Sequence, residues 1–181
     1  EDLPRMPADA YGDAKSEAEA ECESRAGGQD VVRARPFNHT GPGQSSDFVC
    51  SDFASQVVDC ERGEEPGLIR VGDLRSERDF SDVRDVVRAY KLLFDHGVAG
   101  QAYNICSGRP AAVSRVLDIL ISLSTADIKV EVETERLRPG EVGRLWGSYA
   151  KLRALTGWEP QIALEATLAD LLEDRRSDGA V

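Results

Sequence analysis

Long apolar runs are missing from this sequence of 181 residues: no stretch approaches the roughly 20 apolar residues that a bilayer-spanning helix needs, and no basic-then-apolar leader opens it. No membrane partner is expected, and the cytoplasm is the expected setting. Positive charge is also scarce. With 33 acidic and 22 basic side chains the formal net charge is −11, which argues against a general nucleic-acid binder, because displacing counterions from phosphates needs a positive surface. An anionic ligand must therefore meet locally placed arginines. Cysteine is sparse: Cys22, Cys50, Cys60 and Cys106 stand singly, without C-x-x-C or Cys/His ligand spacing, so neither a disulfide framework nor a metal site is indicated. They read as core or half-buried thiols.

What is present is a mixed α/β alternation with 41% hydrophobic residues, enough for one compact unit or part of a larger one. From Tyr11 to about Arg25 small residues recur at Ala14, Ala18 and Cys22, which predicts a helix with a stripe permitting close packing. Gly27-Gly28 ends it, and Val31 to Arg35 follows as a β-branched strand running into Pro36. His39 to Gln44 has turn composition and feeds a helix from Phe48 to about Arg62. Leu68 to Val71 is a strand candidate. Ser81 or Asp82 is positioned to cap a helix with the face Val83, Val86/Val87, Tyr90 and Phe94, closed by Gly97. Tyr103 to Cys106 reads as a strand, Ser114 as the cap of a further helix, Ile128 to Val132 as an edge-like strand and Leu164 to Leu172 as the final helix.

Tyr11 and Lys15 are four residues apart on the first helix, hence on one face. An ammonium within about 4 to 6 Å favours the ionised form of a phenol, bringing its proton within use at neutral pH. Exposed helices often carry Tyr and Lys at this spacing without function, so context decides. The stretch from Pro7 through Tyr11, Lys15 and Val32 to Asn38 resembles the active-site helix and following strand of extended short-chain dehydrogenase/reductases, the NAD-dependent epimerase/dehydratase family. Arg35-Pro36-Phe37-Asn38-His39-Thr40-Gly41-Pro42-Gly43-Gln44 looks like the matching loop of GDP-6-deoxy-hexose enzymes. Arg78-Asp79-Phe80-Ser81-Asp82-Val83-Arg84-Asp85-Val86, Arg138-Pro139-Gly140-Glu141-Val142 and Thr156-Gly157-Trp158-Glu159-Pro160 are similar to further elements of that group.

That resemblance implies a fold: the carboxyl-terminal portion of a Rossmann-like doubly wound domain, about 1–63, interleaved with a small mixed α/β nucleotide-sugar-binding subdomain, about 64–181. It also implies roles. Tyr11 would be the catalytic acid or base, with Lys15 binding the nicotinamide ribose and tuning it. Pro36, Phe37 and His39 would border the nicotinamide of NADPH or NADH. Asn38, Arg78 and Arg138 would meet the diphosphate of a GDP-sugar, Arg78 through a guanidinium fork suited to paired phosphate oxygens, and Glu141 would accept from the ribose hydroxyls. The residues have structural readings too: Asn38 as a turn residue, His39 as a loop anchor, Trp158 as packing, and Arg84 in an ion pair with Asp79 or Asp85. The pattern fits reductases of GDP-4-keto-6-deoxy-D-mannose better than dehydratases, whose corresponding loop is arginine-rich, and it implies a homodimer formed through the Tyr11 helix.

No strand followed by G-x-x-G-x-x-G occurs in the sequence, and Gly41-Pro42-Gly43 loses one amide to proline, so no pyrophosphate cradle is present. The sequence begins at Glu1 in a Pro-punctuated loop. The expectation is a chain whose dinucleotide-binding half precedes it, and which alone neither binds NAD(P)H tightly nor turns over. A noncatalytic nucleotide-sugar-binding module is the alternative.

Overall fold

Apolar residues gather in two clusters whose members interleave along the sequence, and the elements carrying them set the architecture. The computed structural model describes residues 1, 4, 10–25, 30–63, 67–136 and 143–177. Six helices run in it: α1 (Ala10–Arg25), α2 (Val49–Arg62), α3 (Val83–His96), α4 (Val113–Ser122), α5 (Ala150–Thr156) and α6 (Leu164–Ser177). The strands are β1 (Arg33–Pro36), β2 (Asn38–Thr40), β3 (Leu68–Val71), β4 (Glu77–Asp82), β5 (Ala102–Ile105), β6 (Pro110–Ala112), β7 (Lys129–Val132) and β8 (Arg144–Leu145).

The mixed α/β expectation holds, with parallel pairing dominant. β1 pairs with β5 in parallel, and α3 packs on that pair through Val86, Ala89 and Leu93, which join Tyr103, Ile105, Leu152 and Trp158 in one core. The second core is larger. In it α2, α4 and α6 enclose Phe53, Val57, Ile69, Val116, Leu120, Leu168 and Leu171, with β3 and Phe80 of β4 beneath them. β4 is the hub of the third group: β2 and β8 lie parallel to it and β6 antiparallel. β3 pairs with β7 alone, which agrees with the edge-like reading of 128–132.

Several expectations change. Asn38, His39 and Thr40 are not all turn residues: they form β2, paired with Phe80, Ser81 and Asp82, because partners 42 residues away in sequence override local turn composition. The face of α3 is rotated by one position. Val86, Ala89 and Leu93 are buried, whereas Val87, Tyr90 and Phe94 are exposed, Phe94 at 92%; a run of apolar residues at adjacent positions fits two helical faces equally well. The cap of α4 is Ala112 rather than Ser114, whose backbone N–H instead donates to the Leu74 carbonyl at 3.0 Å. The small-residue stripe of α1 finds no close neighbour among the described residues, since Ala14 and Ala18 are exposed and no α1 residue is buried. Trp158 is the packing residue expected, 2% exposed and edge-on to Tyr149 with centroids 5.6 Å apart.

Candidate functional site

Strand alternation on β4 turns Arg78 and Phe80 to one side and Asp79 to the other. The parallel partner β2 brings Asn38 opposite Phe80. Between them opens a cleft of about 590 Å³ lined among others by Asn38, His39, Gln44, Asp73, Arg78 and Glu135. Arg78 is the one arginine or lysine among the described residues that line it. The other ionised groups on its walls are carboxylates, those of Asp47, Asp52, Asp73 and Glu135, so a diphosphate in the cleft has its electrostatic attraction concentrated at the Arg78 fork. One Nη of Arg78 donates to the Glu77 carbonyl at 2.9 Å, which orients the guanidinium along the strand.

The loop after β2 is held from three directions. Thr40 donates to the Gln44 side chain at 2.7 Å, Gln44 Nε2 donates to the His39 carbonyl at 2.9 Å, and the Gly43 amide donates to Asp174 of α6 at 2.7 Å. That amide is therefore engaged with a carboxylate. Gly41 leaves no room for a side chain: a Cβ there would lie 2.8 Å from Val83 Cγ1 at the start of α3. His39 Nδ1 is 3.0 Å from the Phe37 carbonyl, the anchoring contact anticipated for it, while Asn38 is exposed. The Phe37 side chain points elsewhere, to a spot where a Cβ on Gly147 would approach its ring to 2.6 Å.

Electrostatics sort the remaining groups. Arg75 hydrogen-bonds Asp73 and holds its carboxyl below the usual range. Cys50 lies in the cleft floor, where burial pushes its thiol up to about 12, offset in part by a hydrogen bond with Thr40; it stays protonated and unfit as a nucleophile. Burial, then the charge of Asp79, pushes Cys106 up to about 12 as well. Among the described residues no group of three His, Cys, Asp or Glu side chains is arranged to hold a metal ion.

Tyr11 and Lys15 stand apart from this cleft. They share one exposed face of α1, with Lys15 Nζ 5.3 Å from the centroid of the Tyr11 ring. Pro36 closes β1 opposite Ile105, and Phe37 continues the pairing by donating to the Ile105 carbonyl at 2.9 Å. Arg138 and Glu141 lie outside the described residues. The chain on either side of them is at the cleft: Glu135 lines it, and β8 pairs Leu145 with Arg78. Arg84 is ion-paired, though to Asp82 and Asp170, both at 2.7 Å, rather than to Asp79 or Asp85.

Sequence reasoning missed Gln44 as the loop staple and Glu135 as a wall of the cleft. It also missed the buried carboxylates Asp79 and Asp85, three positions either side of Asp82, whose capping of α3 was anticipated. Asp79 accepts from the Ser107 amide and hydroxyl at 2.7 and 2.6 Å and from the Gly108 amide at 2.9 Å. Asp82 caps α3 by accepting from the Arg84 amide and also accepts from Thr167 of α6 at 2.8 Å. Asp85 accepts from the amides of Gln161 and Ile162 at 2.8 and 3.0 Å. The periodic spacing of the acids between apolar residues was the available signal.

Comparison with known proteins gives a consistent picture. The family described as GDP-mannose 4,6 dehydratase matches residues 1–171. GDP-6-deoxy-D-mannose reductase of Pseudomonas aeruginosa is 36% identical over 98% of this chain and 59% of its own length. GDP-mannose 4,6 dehydratase 2 of Arabidopsis thaliana is 26% identical over 76% of this chain and 37% of its own. The solved structure of RMD from Pseudomonas aeruginosa complexed with NADPH superimposes with a TM-score of 0.92 at 36% identity, covering 98% of this chain and 60% of that one. The chain thus spans about three fifths of the length of the reductase it resembles.

Proposed function

Because the chain belongs to the GDP-mannose 4,6-dehydratase family of extended short-chain dehydrogenase/reductases, we propose that the protein reduces the 4-keto group of GDP-4-keto-6-deoxy-D-mannose with NADPH or NADH to give GDP-D-rhamnose. The observation that carries the reading is the β2–β4 pairing, which joins the exposed Asn38 amide and the Arg78 fork across one cleft. Arg78, with Arg138, receives the diphosphate; Asn38 hydrogen-bonds beside it; Glu141 accepts from the nucleotide ribose. A reductase is supported over a dehydratase by the higher identity, 36% against 26%, and by the short Thr40–Gln44 loop, which has no arginine.

The described residues fit the nicotinamide end of a dinucleotide. Lys15 and Tyr11 offer an ammonium and a hydroxyl on one exposed helix face, suited to ribose hydroxyls and to a carbonyl oxygen, and by the family resemblance His39 and the Pro36-Phe37 backbone would border the nicotinamide. A bound reduced nicotinamide would supply the hydride to C4. Tyr11 gives its phenolic proton to the oxygen as negative charge develops there, and Lys15 stabilises the phenolate left behind. We further propose one unit in which a Rossmann-like part, about 1–63, interleaves with a sugar-binding part, about 64–181, supported by the core that α2 shares with α4 and α6. A homodimer joined through α1 is supported by its exposed small residues, and a cytoplasmic setting by the free thiols.

The test is NADPH consumption by the intact protein dependent on GDP-4-keto-6-deoxy-D-mannose. Tyr11→Phe should lower kcat by about 10²- to 10⁴-fold, and an undiminished rate would sink the mechanism. Formation of a 4-keto sugar from GDP-D-mannose with no net NADPH consumption would favour the dehydratase instead.

A further inference from the structure

The helix that carries Tyr11 and Lys15 is secured in an unusual way. No α1 residue is buried, and none joins either apolar core. Its firm tie is ionic. Glu19, two turns beyond Tyr11 and one beyond Lys15, falls on the same stripe of the helix, since positions i, i+4 and i+8 share a face. Its side chain is only 17% exposed despite its charge. Arg35 of β1 grips it with Nε at 2.9 and 3.2 Å from the two carboxylate oxygens and Nη2 at 2.5 Å. Arg33 adds a bond to the same carboxylate at 3.1 Å, pairs with Glu23 one turn further on, and donates to the Gly100 carbonyl at 2.9 Å. Arg35 also donates to the Glu1 carbonyl at 3.3 Å.

Arg35 is followed directly by Pro36, Phe37 and Asn38. One guanidinium therefore joins the helix bearing the proton donor to the strand that leads into the sugar cleft. We propose that Glu19 and Arg35 are a positioning pair, which fixes the distance and rotation of Tyr11 and Lys15 relative to the cleft of Asn38 and Arg78. The inference rests on the reductase reading above. It follows from the bonding geometry: a bidentate fork fixes the rotation of its partner as well as its distance, and this fork spans from the helix to the strand that continues into the cleft. Misplacement of a catalytic group by about 1 Å costs on the order of 10²-fold in rate. Neither residue touches the reacting atoms, so the loss falls on kcat, and KM for the sugar nucleotide, governed by Arg78 and Asn38, stays close to its original value.

The experiment compares Glu19→Gln, Arg35→Met and the double variant in the intact protein, with turnover expressed per folded site. Each single variant should lose about 10- to 100-fold in kcat with KM changed by less than about twofold, and the double variant should lose far less than the product of the two, because both break the Glu19–Arg35 contact, Glu19→Gln losing in addition the Arg33 bond and Arg35→Met the Glu1 bond. Single variants that retain kcat, or losses that multiply in the double variant, would overturn the pair. A second readout needs no substrate. Spin labels at Ala18 on α1 and Phe94 on α3, in a Cys22→Ser background, should give one narrow distance distribution that shifts or broadens in either single variant; an unchanged distribution refutes the proposal whatever the kinetics. If the parent protein consumes no NADPH with this substrate, the reductase reading fails separately, and the label distances still decide whether the pair docks α1.

Discussion

Asp79, Asp82 and Asp85 are each at most 2% exposed, and each accepts hydrogen bonds that tie β4 or α3 to a distant segment of chain. A buried carboxylate survives folding only when donors replace its water, and here the donors are backbone amides of the loops around 107, 147 and 161 together with Thr167 of α6. Asp79→Ala would leave the part-buried Ser107 and Gly108 amides without their acceptor. Each stranded donor costs about 1–3 kcal/mol, so the urea midpoint should fall sharply, and Asp79→Asn, which keeps one acceptor oxygen, should recover part of the loss. A midpoint unchanged in Asp79→Ala would contradict the hub. The roles of Asp79 and Asp85 were hard to read in the sequence because the motif around Arg78 draws the eye to its basic end, and most of their partners are backbone amides, which no sequence pattern displays.

At the scale of elements, the helices were legible wherever one apolar stripe stood clear of its neighbours, as in α2, and the short strand β3 matched its β-branched run. α3 was ambiguous by one residue. Val86-Val87 and Leu92-Leu93-Phe94 offer adjacent apolar positions, and the choice between faces is made by what lies underneath, Tyr103 and Ile105 of β5. Leu93→Ala should cost about 2–5 kcal/mol in chemical denaturation, while Phe94→Ala at an exposed site should change stability by less than about 0.5 kcal/mol. The reverse order would return the helix to the face its sequence suggested. β2, β4, β6 and β8 escaped notice, being two to six residues long and stabilised by partners far along the chain rather than by propensity.

For the molecule as a whole, acid should loosen the α6 contacts first. Burial alone would raise the Asp82 carboxyl, but the Arg84 guanidinium and amide and the Thr167 hydroxyl outweigh it and hold the group below its ordinary value. Glu61 of α2 is likewise held low, chiefly by hydrogen bonds from Arg176 of α6. A carboxylate with a depressed folded-state pKa contributes stability that is present above its unfolded value, about 4, and is lost as pH falls through the folded one. The urea midpoint should therefore be steady from about pH 7 to pH 5 and drop below about pH 4. Asp82→Asn should lower it at neutral pH and flatten the acid slope; an unaltered slope would remove Asp82 from the account. The motifs around Arg78 and Asn38 were readable in the sequence, and the structure brings the two residues to one cleft. The geometry of that cleft was not readable, because it exists only once β2 has found β4 and Glu135 has come round from the far side of β7.

The same loop depends on a residue far downstream. The Gly43 amide is 131 positions from the Asp174 carboxylate that accepts from it, and Arg175 caps the neighbouring Gln44 carbonyl. A ribosome delivers this chain from its amino end at about 5–20 residues per second, so the loop bearing Asn38 and His39 emerges many seconds before its latch exists. During synthesis the cleft between β2 and β4 is therefore among the last parts to take shape, and its loop stays unlatched until α6 has left the exit tunnel.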